Sequence, residues 1–352
     1  MISLPGGRRQ TFSGRSQEDV RRQIVEALHA RQDTAGDDPT AITVAQFLDM
    51  WLERIAKPKI RAQTYKGYEV HVRLHLKPAI GKIPLDRLEP MHIQDLIDRK
   101  VKDGLAPKTV RYMHGTLRTA LNHAMRWNYL VRNPAAVVEG PRVRQQEIQP
   151  LTREEAQRFL AAIRGDRLEA LYTVALTMGL RQGEALGLRW RDVDLELGNF
   201  RINNQLQRVN HKYELVEPKT ARSRRSLAIP AKIVDSLRQH KNRQLDERRR
   251  AGLAWHDTDL VFARPNGYPL SGSVVTHHFQ DLLKGMGLAN RRFHDLRHSC
   301  ATLLLAQGVS PRVVMDVLGH SQISLTMNTY AHVLPELRRE AADRMNELLN
   351  DR

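Results

Sequence analysis

Residues Arg291–Leu305 read R-R-F-H-D-L-R-H-S-C-A-T-L-L-L, a polar head joined to an apolar tail. The tail predicts a helix. His294 and Arg297, three residues apart, then leave the same face and can reach one anionic group together. Further helices are expected around it, near 231–250, 271–285, 310–318 and 322–331, with an amphipathic one after Pro335. Upstream, Thr152 and Glu155 form a capping box, and helices follow at about 152–163 and 168–179, with another starting near Arg181. Between 192 and 230, the segments D-V-D-L, N-F-R-I-N and R-S-L-A-I-P have the alternation of strands. The predicted class is mainly α with a small β-sheet, that is, an α+β unit over 151–352.

The amino-terminal part has a different pattern. Thr43 is placed to cap a helix burying Phe47, Leu48 and Trp51, and a second helix is expected over Ala62–Leu76. Pro90 opens a third helix that Gly104 ends, and Pro107 opens a fourth reaching Trp127. This predicts a compact helical domain over 41–139. Its basic edge carries Lys57, Lys59, Arg61, Lys66, Arg73, Lys77 and Lys82 against Glu69. Residues 140–150 (G-P-R-V-R-Q-Q-E-I-Q-P) lack hydrophobic periodicity and read as a linker that spans at most about 35–40 Å. Residues 1–40 form a third region, with one basic strand near Arg9–Phe12, a helical pattern from Ser16 to Arg31 and a turn-rich linker from Asp33 to Thr40.

Composition narrows the partner. Lys and Arg number 56 against 39 Asp and Glu in 352 residues, a formal charge of +17. Such an excess suits a polyanion, although ribosomal and membrane-surface proteins share it. Cys300 is the sole cysteine, which rules out an intrachain disulfide and a thiolate cluster and fits a reducing compartment. No apolar run approaches the roughly 18–20 residues of a membrane span, and no amino-terminal stretch reads as a signal peptide. A cytoplasmic, nucleoid-associated protein is expected, with no membrane partner.

Six residues stand out as candidates for chemistry: Arg181, Lys219, His294, Arg297, His320 and Tyr330. Arg181 lies in G-L-R-Q-G-E-A-L-G-L, where Glu184 one turn later can brace its guanidinium. Lys219 lies in P-K-T-A-R-S-R-R-S-L-A-I-P, at an expected turn between strands, where an ammonium can act as general acid. His320 follows Gly319, which has the look of a helix C-cap. Tyr330 has a free pKa of about 10, so offsetting roughly 4 kcal/mol is needed before its phenolate forms freely at neutral pH. Taken singly, each residue equally suits an exposed helix face, a structural turn or an ordinary packing site. The arginine run Arg222, Arg224 and Arg225 reads as a solvated face or a set of phosphate contacts. His294 and His298 also have the i, i+4 spacing of a zinc helix. Asp295 replaces the usual Glu there, Arg297 would repel the cation, and no third ligand follows, so no metal is expected.

Together, two arginines, two histidines and a tyrosine are what metal-free attack on a phosphodiester requires. In this order, G-L-R-Q-G-E-A-L-G-L-R-W, F-H-D-L-R-H-S-C-A-T, L-G-H-S and N-T-Y-A-H-V resemble the tyrosine recombinase family in its phage-integrase branch, over roughly Thr43–Leu337. The resemblance implies that Arg181 and Arg297 hold the scissile phosphate, Lys219 protonates the 5′-oxygen leaving group and His294 assists proton transfer. It further implies that His320 hydrogen-bonds a non-bridging oxygen and that Tyr330 attacks to leave a 3′-phosphotyrosine. It implies no cofactor, a homotetramer on double-stranded DNA attachment sites, a C-shaped clamp of two domains on each duplex and a possible host bending or excision factor. The final helix would dock on its own or a neighbouring subunit. Many integrases begin with a three-stranded arm-binding domain; here only its last strand and the following helix are recognisable, so the arm contact is expected to be truncated or reduced. A type IB topoisomerase and a non-catalytic DNA-binding regulator remain the competing readings.

Overall fold

The computed structural model describes residues 2–3, 9–10, 42–143, 149–209, 212–218, 223–288, 291–319, 342–343, 345–346 and 349. The chain divides into two compact units, Met1–Gln145 and Gln146–Arg352. The expected segments Ser16–Arg31, Asp33–Thr40 and 322–331, and the helix expected after Pro335 for nearly all its length, lie outside the described residues.

The first unit begins with a hairpin of β1 (Ile2–Ser3) and β2 (Arg9–Gln10), paired antiparallel. Only the second of these strands is legible in the sequence. A strand of two residues carries too little alternation to register as one. Helix α1 (Val44–Trp51) starts at Thr43, whose side chain accepts from the Gln46 amide while the Gln46 side chain accepts from the Thr43 amide. As expected, Phe47, Leu48 and Trp51 are buried. Helix α2 (Ala62–His71), α3 (Pro90–Lys102) and α4 (Pro107–Arg126) complete the bundle. The apolar faces of α1, α3 and α4 meet in one core that includes Leu76, Ile93, Leu96, Leu117 and Leu121, and α2 packs on it through the partly buried Tyr65 and Tyr68.

Two wide turns distinguish α1 and α2 from the expected helices. After α1 the chain passes through a π-turn at Leu52–Ala56 and on to Lys57–Lys59. After α2 it passes through one at Val72–Leu76 and on to Lys77–Ile80. The Lys57 amide therefore reaches back to the Leu52 carbonyl, and the Lys77 amide to that of Val72. Each turn precedes a proline. The rings of Pro58 and Pro78 would collide with the carbonyls four residues earlier, Arg54 and Leu74, and a widened turn relieves the collision without ending the helix. The basic edge is also less positive than its sequence suggests. Lys57 pairs with Glu53 at 2.6 Å, Lys77 with Asp49 at 2.6 Å, and Arg73 with Glu69. Asp49 and Glu53 precede the basic stretch in sequence and reach it through the fold.

The second unit is mainly helical with small sheets. Helix α5 (Arg153–Ala162) carries the expected Thr152–Glu155 capping box. Helix α6 (Glu169–Met178) is buried except along the stripe of Glu169, Thr173 and Thr177 and forms the middle of the core, and α7 (Gln182–Leu186) follows it directly. Strands β3 (Val193–Asp194), β4 (Asn199–Ile202) and β7 (Arg225–Ala228) form an antiparallel sheet in that order, with Phe200 opposite Leu227. Between β4 and β7 stands a separate hairpin of β5 (Gln205–Val209) and β6 (Lys212–Val216). Helices α8 (Ala231–Ala251), α9 (Gly272–Gly285), α10 (Phe293–Ala306) and α11 (Pro311–Leu318) follow. Phe159, Tyr172, Phe279 and Phe293 meet edge-on or tilted, with centroids 5.6–6.1 Å apart, and tie α5, α6, α9 and α10 together. Among the described residues no helix is long and apolar enough to cross a membrane.

The β5–β6 hairpin is fastened to α7 through backbone contacts. A Cβ at Gly187 would stand 2.6 Å from the Leu206 amide nitrogen, and one at Gly183 would stand 3.2 Å from the Leu206 carbonyl oxygen. These glycines are one helical turn apart, so one face of α7 touches the strand without side chains between them.

His240 supplies a measurable consequence of this packing. It is 4 % exposed, its Nε2 donates to the Val261 carbonyl at 2.7 Å, and Arg243 donates to Nδ1 at 3.3 Å. Burial, and then the positive charges of Arg243 and Arg167, lower its pKa to about 4. The unfolded chain therefore binds this proton more tightly, and stability falls as pH drops from the unfolded value of about 6.5 towards 4. At pH 5 the loss relative to pH 7.5 is expected to be about 2 kcal/mol from this group. Urea unfolding at both pH values should show that His240→Gln loses about this much less than the parent does.

Candidate active site

The site is assembled around a reversal of the chain after α6. Gly179 takes a left-handed conformation (φ 61°, ψ 32°), which ends the helix and lets Arg181 start α7. An added Cβ at Gly179 would stand 2.5 Å from a Leu318 methyl and 3.2 Å from the Cys300 sulfur. The turn is thus wedged between α10 and α11.

Arg297, in α10, is 1 % exposed. Its Nη1 donates to the Gly179 carbonyl at 2.8 Å, across 118 positions of sequence. This bond brings the two halves of the predicted arginine pair to one turn. Arg181 is more open, with 36 % of its side chain exposed. Its Nη1 donates to Glu184 at 2.6 Å, and its own amide donates to the other Glu184 oxygen at 3.1 Å. The expected brace between Arg181 and Glu184 is present. Arg181 Nη2 also lies 3.5 Å from the Gly319 carbonyl.

Glu184 has a second guanidinium partner in Arg225, which is enclosed rather than on the solvated face or among the phosphate contacts expected of its run. Arg225, at the start of β7, donates from Nη2 to Glu184 at 3.1 Å. Burial would raise the Glu184 pKa, but Arg225, then Arg181 and Arg297, outweigh it and hold the carboxyl below its usual value. Glu184 is therefore an ionised anchor with guanidiniums on two sides. A signal for Arg225 was available in the alternation of the strand. Leu227 and Ile229 are buried, and Arg225 shares their face.

His294, in the first turn of α10, is exposed, whereas Arg297 one turn later is enclosed. The shared face expected for the pair therefore leads from solvent into the interior. The surrounding protein, and then His298, Arg297 and Arg181, hold His294 down to about 4, so its imidazole is neutral at physiological pH. The His294 and His298 rings meet edge to face with centroids 5.0 Å apart. Asp295 is buried and fixes the start of the helix by accepting from the Arg292 amide at 2.7 Å.

The structure thus gathers Arg181, His294 and Arg297 from the six predicted residues and adds Glu184 and Arg225. Helix α11 ends at Gly319, also left-handed (φ 65°), as its position before His320 predicted. Lys219, His320 and Tyr330 themselves lie outside the described residues. Beside α7 an open groove of about 510 Å³ is lined by Gln182, Arg208, Tyr213, Ser271, Thr276 and His277, among others.

Comparison with known proteins shows the family of the chain. Residues 149–337 match the Phage integrase family, and residues 43–101 match the phage integrase N-terminal SAM-like domain. A tyrosine recombinase XerC-like protein of Caldanaerobacter subterraneus subsp. tengcongensis is 30% identical over 97% of this chain and 92% of its own length. An integrase of Saccharopolyspora erythraea is 31% identical over 86% of this chain and 82% of its own. Among solved structures, the Tn1549 transposon integrase in complex with a circular intermediate DNA superposes with a TM-score of 0.71. It covers 86% of this chain and 99% of that one at 23% identity. A lambda integrase tetramer bound to a Holliday junction superposes with a TM-score of 0.61 at 19% identity, over 89% of this chain and 90% of that one.

The Gly179 turn offers a direct test of this geometry. Gly179→Ala places a Cβ in a left-handed residue, at about 1–2 kcal/mol, and forces it against Leu318. With overpacking of about 1 kcal/mol or more added, the variant is expected to lose about 3 kcal/mol in urea unfolding. An unchanged midpoint would show that the turn is not held as described.

Proposed function

Because the chain belongs to the phage integrase family and is a tyrosine recombinase, an enzyme that breaks and rejoins DNA strands at specific sites, we propose that the Arg181–Arg297 turn is its scissile-phosphate pocket. The observation that carries this reading is the bond from Arg297 to the Gly179 carbonyl, two residues before Arg181. Two guanidiniums brought to one turn, with Glu184 fixing the outer one, suit a phosphodiester that gains negative charge as it is attacked. Arg181, the more exposed, is the outer fork and Arg297 the inner one.

In this reading Tyr330 attacks phosphorus and leaves a 3′-phosphotyrosyl linkage. Lys219 protonates the departing 5′-oxygen and His320 hydrogen-bonds a non-bridging oxygen. His294, neutral before DNA arrives, accepts a proton. A phosphate anion in the pocket offsets the repulsion from Arg297 and Arg181 and makes the imidazole a better base. The linkage keeps the energy of the broken bond, so a 5′-hydroxyl of the partner strand reverses the attack without a nucleotide cofactor.

The substrate is double-stranded DNA at the attachment sites of a mobile element, acted on by a homotetramer in the cytoplasm at the nucleoid. A host bending or excision factor is the further partner proposed. The helical unit with Lys59, Lys66 and Lys82 is the core-site binding domain, 41–139. It joins the catalytic domain, 151–352, through the 140–150 linker. Arg208, Ser271 and His277 beside α7 supply donors for the sugar-phosphate backbone.

A duplex selected by the full chain from a random DNA library, then nicked next to the cleavage position, tests the assignment. The parent protein should become covalently attached through Tyr330, and Tyr330→Phe should bind the duplex but form no adduct. An adduct of equal yield with Tyr330→Phe would remove Tyr330 from the mechanism.

A further inference from the structure

Arg225 is enclosed, with 7% of its side chain exposed, yet it uses all three guanidinium nitrogens. Nε donates to the Val317 carbonyl at 2.7 Å, Nη1 to that of Ser223 at 3.2 Å, and Nη2 to Glu184 at 3.1 Å. These acceptors belong to three different parts of the site. Ser223 is in the segment leading from Lys219 into β7. Glu184 holds Arg181. Val317 is in the last turn of α11, two residues before the Gly319 cap and three before His320.

We propose that Arg225 is a positioning residue for DNA cleavage: it fixes the Glu184 carboxylate and the end of α11 in one register, so that Arg181 and the Gly319 end of α11 face the same phosphate. The proposal rests on the pocket assigned above and deepens it. Each guanidinium nitrogen of Arg225 already donates to a protein acceptor, so its donor fork is directed at the protein and not at the DNA backbone. A guanidinium at the carboxyl end of a helix also meets the negative end of the helix dipole, which favours the contact with Val317. The fork donates from three separate nitrogens, whereas a lysine ammonium in the same place would retain the charge beside Glu184 but donate from a single nitrogen and not span acceptors on three segments.

The test compares the parent protein, Arg225→Lys and Arg225→Met on the selected nicked duplex. DNA affinity, urea unfolding and the single-turnover rate of adduct formation at saturating protein are all measured. Both variants are expected to bind within about threefold of the parent and to unfold cooperatively. Cleavage should fall about 100-fold in Arg225→Met, as a displacement of about 1 Å in a positioning group produces, and about tenfold in Arg225→Lys. Adding Glu184→Gln to Arg225→Met should cost much less than the product of the single losses, because the two act through one contact. A folded variant that cleaves at the parental rate overturns the proposal. So does a parallel fall of affinity and rate, or loss of folding in both variants, since Arg225 would then be a DNA contact or a stability residue. If the parent itself forms no adduct, the functional assignment has failed, whatever the variants do.

Discussion

A buried carboxylate held between guanidiniums is the constraint on which the second unit's site depends. Glu184 is 2% exposed, and an ionised group so enclosed is costly unless its partners are fixed. Arg181 and Arg225 supply those partners, and the positive charge of Arg297 acts on it as well. The constraint works in both directions. The carboxylate stays ionised because of the arginines, and long flexible side chains are ordered by bonding to a group that cannot move. Among the described residues the result is more guanidinium than carboxylate around one turn, an arrangement suited to an incoming anion and matching a family that acts on phosphodiesters.

Much of the fold was legible because its boundaries are set by local chemistry. Pro90, Pro107, the Thr152–Glu155 pair and Gly319 mark helix ends through sterics or capping, and these depend little on what packs above them. The π-turns were not legible. A proline in a helical pattern normally signals an end, and whether the chain widens a turn instead depends on the core that both sides of the helix join. The β5–β6 hairpin falls within the 192–230 region expected to hold strands and hairpins, but its two strands do not stand out there. Q-L-Q and K-Y-E-L alternate, yet each run covers only three or four residues, and of the ten strand residues only Leu206 is buried.

In the site, Arg181, His294 and Arg297 were recoverable from motif spacing, and the Glu184 brace from a one-turn offset. The depth of Arg297 was not recoverable, since an arginine in a helix is ordinarily placed at the surface. Arg225 was concealed by its neighbours. In S-R-R-S-L-A-I-P, Arg224 and Arg225 are chemically alike, yet the first pairs with Glu217 at the surface and the second enters the core. Only the period of the strand separates them. Lys219, His320 and Tyr330 rest on the order of the motifs and on membership in the family.

The fastening of the β5–β6 hairpin to α7 has a mechanical consequence. Where side chains separate two elements, rotamer changes absorb small displacements and the elements shift independently. Gly183 and Gly187 leave no such cushion against Leu206. A ribbon of two strands is pliable by itself, but at its base it moves as one piece with the helix it touches. A force on that base is therefore transmitted to α7, and with it to the carboxylate that steadies Arg181.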